Sequence, residues 1–162
     1  MRWGRAVTAL CLMPLLSACG PYYGVFFVQG DDAENAVIGV RDCQSGGGIT
    51  EMSLYLRGDT SSASTGRTGK RLLLWRVEAD GGEPVRELGL GGEPDGYTTR
   101  HPLTVELHAG TTYEIRASTV SGRGGGLAFR PERLSAGYVT YDDDVTESRE
   151  AYDELPDAWF CY

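Results

Sequence analysis

Along most of this 162-residue chain, apolar and polar residues alternate with period two in short runs, broken by clusters of Gly, Asp, Ser and Pro. A period of two puts one set of side chains on each face of an extended strand, and no helix turns a pattern of that period into a single apolar face. Repeated runs of this kind with turn signals between them predict an all-β sandwich. Residues 23–29 and 36–43 flank the turn Gly30-Asp31-Asp32. In residues 49–57, Met52, Leu54 and Leu56 share one face, with Glu51, Ser53 and Tyr55 on the other. Residues 58–69 are a polar loop by composition, and residues 71–79 place Leu73, Trp75, Val77 and Ala79 together. The tetrapeptide Gly-Gly-Glu-Pro occurs at 81–84 and again at 91–94, predicting two turns around a short edge strand. Further strands are expected over 103–108, 111–119, 127–130 and 136–141, with Gly122–Gly126 as a turn.

The amino terminus follows a different rule. Arg2 and Arg5 precede an apolar stretch from Ala6 to Leu16, which is shorter than the ~20 residues needed to span a bilayer. A basic start, an apolar middle and the small residues Ser17 and Ala18 make an export signal. The tetrad Leu16-Ser17-Ala18-Cys19 resembles the lipobox of bacterial lipoproteins. That resemblance implies diacylglyceryl modification of Cys19 and cleavage before it, leaving residues 19–162 anchored on the outer side of the cell membrane. The expected organisation is a signal peptide at 1–18, a tether at 19–24 and one sandwich domain at 25–162. Two acyl chains on one residue meet the two-signal requirement for stable attachment. The basic residues are Arg throughout except Lys70, the bias of a GC-rich coding sequence such as an actinobacterial one.

Charge and cysteine count narrow the function further. With 15 Lys and Arg against 23 Asp and Glu, the chain carries −8, and loss of Arg2 and Arg5 with the signal takes it to −10. Nucleic acid is therefore not an expected partner, since phosphate backbones are bound by clustered cations. Once Cys11 leaves and Cys19 is acylated, Cys43 and Cys161 remain, and in an exported domain such a pair predicts a disulfide. Closing a 118-residue span, it is expected to contribute roughly 4–5 kcal/mol in the chain-entropy account. Cys43 has the opposite parity to Ile38 and Val40, so the bridge is expected to pin the carboxyl tail at a sheet margin.

Leu107-His108-Ala109-Gly110-Thr111-Thr112-Tyr113 resembles the tyrosine corner of fibronectin type III and related immunoglobulin-like domains. The resemblance implies an immunoglobulin-like β-sandwich over residues 70–120, with Leu107 ending a strand, Gly110 turning the chain and the Tyr113 hydroxyl bonding back to the corner. Ile115 stands where antibody domains carry their second Cys, so Cys43–Cys161 is not the bridge of those domains.

Residues 142–157 hold eight acidic side chains and the single basic Arg149. Asp144 and Glu147 have the spacing of a capping box, predicting a short acidic carboxyl-terminal helix over the sandwich. Asp142, Asp144, Thr146, Glu150 and Asp153 approximate the oxygen spacing of a calcium loop, although Glu147 stands where such a loop needs Gly. His101 and His108, the chain's only histidines, lie near no activated nucleophile. The sequence thus singles out no catalytic, metal or cofactor residue. It predicts a non-enzymatic envelope module that binds a protein or glycan partner. The alternatives are a carboxylate-dependent cell-wall or glycan hydrolase, and a calcium-binding module centred on the acidic segment.

Overall fold

The computed structural model describes residues 24–42, 47–58, 71–120, 124–142 and 145–156. The signal, Cys19, Cys43, Cys161 and Asp144 lie outside them. Among the described residues, ten strands form two five-stranded antiparallel sheets, the all-β sandwich that the alternation predicts. The first sheet contains β1 (Gly24–Gly30), β2 (Val37–Asp42), β5 (Glu87–Gly89), β9 (Ser135–Tyr141) and β10 (Val145–Ser148), in the order β10-β9-β1-β2-β5. The second contains β3 (Ile49–Leu56), β4 (Leu72–Ala79), β6 (Tyr97–His101), β7 (Tyr113–Thr119) and β8 (Gly124–Phe129), in the order β6-β4-β3-β7-β8. Within it β3 pairs with both β4 and β7, and β8 extends the sheet from β7.

The core lies between the sheets. Phe26, Val28, Ile38 and Val40 meet Met52, Leu54, Trp75, Val77, Ile115 and Leu127, all buried and contributed by alternate strand positions. One departure from simple alternation occurs in β4. The register against β3 shifts between Leu54 and Tyr55, so Leu74 and Trp75 are both buried while Leu73 is only half-buried. A bulge of this kind re-aims side chains without a signal in the period.

Three expectations are corrected. Residues 103–108 form no strand despite their alternation; β6 is instead residues 97–101, and Leu103 and Leu107 pack on the core from an irregular segment. Tyr97 anchors β6 from its first position: its hydroxyl donates to the Ile49 carbonyl and accepts from the Val85 N–H at 2.9 Å. Gly124–Gly126 belong to β8 and not to a turn. The helix α1 is Arg149–Glu154, and its cap is Ser148, whose hydroxyl accepts from the Ala151 N–H at 3.1 Å. Glu147, placed in the capping box by its spacing from Asp144, instead pairs with Val139 inside β10.

At the 107–113 corner Gly110 has φ 78°, a left-handed conformation that glycine adopts without strain. The Tyr113 hydroxyl accepts the His108 N–H at 3.0 Å, and the Thr111 N–H reaches the His108 carbonyl at 3.3 Å.

The outer face of the first sheet has its own small core. Phe27, Val139 and Tyr141 point away from the sandwich interior, and Tyr152 of α1 covers them. The Tyr152 ring stands 5.4 Å from Phe27 and 5.1 Å from Tyr141. Arg41 ties down the end of α1, donating to the carbonyls of Tyr152 at 2.8 Å and Leu155 at 2.7 Å.

Candidate functional site

The outer face of the second sheet carries a polar, charged surface. Alternation puts Glu51, Ser53 and Tyr55 of β3 on it, beside Arg76 and Glu78 of β4 and Glu114, Arg116 and Ser118 of β7. Ion pairs divide it into two clusters. On one side Glu78 sits between Arg100 at 3.0 Å and Arg76 at 2.5 Å, and Arg76 also reaches Glu51 at 3.2 Å. On the other, Glu114 is held by Arg71 at 2.8 Å and Arg116 at 2.7 Å. The Arg100 hydrogen bond, with help from Arg76, outweighs desolvation and holds the Glu78 carboxyl below its usual range.

A groove of about 510 Å³ opens beside the second cluster, lined by Ser53, Tyr55, Arg116, Ser118 and the run Gly124–Gly126. The glycines create it. Gly124 and Gly126 point outward from β8 and present bare backbone where other residues would place side chains. Gly125 points inward and must be glycine for another reason, since a Cβ there would lie 2.6 Å from the Phe26 ring.

The groove's charged side chains are paired, Arg116 with Glu114 and Glu51 with Arg76, while one of its hydroxyls is left over. Ser53 is opposite Arg76 on one neighbouring strand and Arg116 on the other, and only 1% of it is exposed. Its hydroxyl has no hydrogen-bond partner, and neither does the buried Nε of the facing Arg76. Leaving a buried donor or acceptor unpaired costs about 1–3 kcal/mol. Together with Tyr55 and Ser118, Ser53 gives the groove hydroxyl groups and an aromatic ring around an open, shallow floor. Such a surface can form hydrogen bonds and stack against a ligand, with Glu51 and Arg116 as the charged side chains of its lining.

The residues expected from sequence fall elsewhere. His101 is an exposed residue of β6, and His108 serves the corner through its backbone. Among the described residues, no three His, Cys, Asp or Glu side chains come together to hold a metal ion. Of the possible calcium-loop oxygens, Thr146 bonds Thr140 at 3.0 Å and Asp153 pairs with Arg149 at 3.0 Å, while Asp144 lies outside the described residues. A glycosidase acid needs a raised pKa. The described carboxylates with displaced values, Asp32, Glu78, Glu93 and Glu132, are all lowered by hydrogen bonds that favour the charged form.

The sequence puts Ser53 and Tyr55 on the polar face of their strand without assigning either a binding role, and it reads Gly122–Gly126 as a turn; the signal that leads to the groove is a glycine run following an alternating strand. Comparison with family models, curated proteins and solved structures gives no match to the chain.

Proposed function

We propose that this protein is a lipid-anchored, extracytoplasmic binding module of the cell envelope, and that its groove on the β3–β7–β8 face holds a glycan. The observation that carries the glycan reading is a groove lined by the hydroxyl residues Tyr55 and Ser118 over a side-chain-free glycine floor. Neutral polyhydroxylated ligands exchange hydrogen bonds with such groups and lay their apolar ring faces on aromatic rings. Nothing in the comparisons or the described residues points to catalysis.

The lipid anchor rests on Leu16-Ser17-Ala18-Cys19 and is supported by how soon the sandwich begins, with β1 starting five residues after Cys19. Fully extended, those residues span at most about 18 Å, so the domain is held against the membrane. The Cys43–Cys161 bridge is part of the same reading. Its support is that Arg41, two residues before Cys43, bonds the carbonyl of Leu155, six residues before Cys161.

Two measurements test the proposal separately. Cys19→Ala is expected to abolish labelling by radioactive palmitate and to move the protein out of the washed membrane fraction; unchanged membrane retention overturns the anchor. Affinity electrophoresis of the full chain through gels containing purified envelope polysaccharide tests the groove. Retardation that Gly126→Val and Tyr55→Ala both weaken supports it, and retardation unaffected by either variant, or none at all, overturns it.

A further inference from the structure

A second cleft, of about 670 Å³, lies on the opposite sheet beside α1. Its floor is Phe27 and Tyr152, and guanidinium groups cover that floor: Arg149 stands 5.1 Å over the Phe27 ring and Arg41 5.5 Å over the Tyr152 ring. Arg86 completes the lining, with Glu87 and Asp153 at the rim. Three cations thus converge in one cleft of a chain whose formal charge is −8.

Two of the three have structural work. Arg41 holds the helix carbonyls, and Arg149 bonds Asp153 at 3.0 Å, Gln29 at 2.7 Å and Glu87 at 3.4 Å. Arg86 has none of this kind. Its backbone carbonyl accepts the Val40 N–H at 3.0 Å, which fixes its position beside β2, while its exposed side chain makes no hydrogen bond or ion pair with the described residues. Packing of α1 explains Arg41 and Arg149 and leaves Arg86 unexplained.

We propose that this cleft binds an oxyanion, with Arg86 as the primary contact and Arg41 and Arg149 supplying the surrounding positive field. A guanidinium offers paired N–H donors that match two oxygens of a phosphate or carboxylate, and rings stacked beneath two of these groups hold their planes in place. Glu87 opposes an anion and sets an upper limit on affinity. The phosphate can be free in solution or part of a lipid headgroup. The second source is within reach because Arg41 pairs in register with Val25, six residues from Cys19. The cleft and the glycan groove lie on different sheets, so either proposal can fail alone.

The test uses the full chain carrying Cys19→Ala, so that the lipid does not itself dictate vesicle binding. Inorganic phosphate is titrated calorimetrically at constant ionic strength. In parallel, sedimentation is measured with phosphatidylglycerol vesicles and with phosphatidylcholine vesicles. Arg86→Gln is expected to weaken phosphate binding at least tenfold without changing the unfolding midpoint, and Glu87→Gln to tighten it several-fold. Binding to phosphatidylglycerol vesicles that Arg86→Gln abolishes, without binding of free phosphate, supports the proposal with the headgroup as source. Binding of neither probe, or binding that Arg86→Gln leaves intact, overturns it.

Discussion

Gly39→Ala tests how the outer face of the first sheet is assembled. Gly39 is the outward residue between the core-facing Ile38 and Val40, and a Cβ built on it would lie 2.1 Å from Phe27 Cζ and 2.6 Å from both Cε atoms. The Phe27 ring therefore lies across the bare backbone of β2, beneath Tyr152 and Arg149. Gly39 has no positive φ, so alanine is conformationally acceptable there and, by restricting the unfolded chain, is worth about 0.4–1 kcal/mol of stability. Against this stands the forced movement of the ring. Overpacking costs about 1–3 kcal/mol, and losing the Phe27–Tyr152 geometry removes about 0.5–1.5 kcal/mol more. The net expectation is destabilisation by about 2 kcal/mol, a loss of roughly 4–8 °C in Tm for a domain of this size. Urea unfolding followed by circular dichroism measures the total. Limited trypsin digestion, read at the Arg149–Glu150 bond, reports whether α1 loosens first. Phe27→Leu in the Gly39→Ala background is expected to cost less than in the parent, a coupling of about 1 kcal/mol or more. A Gly39→Ala protein as stable as the parent, with additive behaviour in the double variant, refutes the reasoning.

Tyr113→Phe removes the acceptor of the His108 N–H and is expected to cost about 1 kcal/mol in urea unfolding; an unchanged midpoint denies the corner any energetic role. Burial pushes the Tyr152 hydroxyl up to about 12, against the opposing charges of Arg41 and Arg149. The folded state then holds this proton more tightly than the unfolded chain, so the contribution is intact below pH 10 and is lost progressively from pH 10 to 12. The loss amounts to about 3 kcal/mol at most, and Tyr152→Phe is expected to flatten that part of a stability-against-pH curve. For the proposed Cys43–Cys161 bridge, the exported protein is expected to resist alkylation at both residues until reduced, and Cys161→Ser to lower stability by roughly 3–5 kcal/mol. Free thiols before reduction contradict it.

What the sequence made legible follows from which forces are local. Strands β1, β2, β3 and β7 were readable because each buries alternate residues against the opposite sheet, and burial imposes the period directly, while β9 buries Val139 and Tyr141 on the outer face under α1. The β4 bulge was not, because Leu74 and Trp75 share the core through a register shift set by β3. Residues 103–108 alternate as well as any strand, yet β4 pairs with 97–101, where Tyr97 bonds to Ile49 and Val85 across the sandwich edge. The glycines at 124–126 illustrate the same limit most clearly. A run of glycine reads locally as a turn, but Gly125 is dictated by the Phe26 ring, about a hundred residues earlier in the chain. Gly124 and Gly126, on the other face of that strand, leave space where side chains would stand. The candidate site is largely that empty space, together with Ser53, whose burial comes from arginines on both neighbouring strands. A motif search looks for residues that perform chemistry, whereas this groove is made by side chains that are missing and by one ordinary serine enclosed by its neighbours. Only the paired strands bring those features together, so the binding face becomes readable once the register is known.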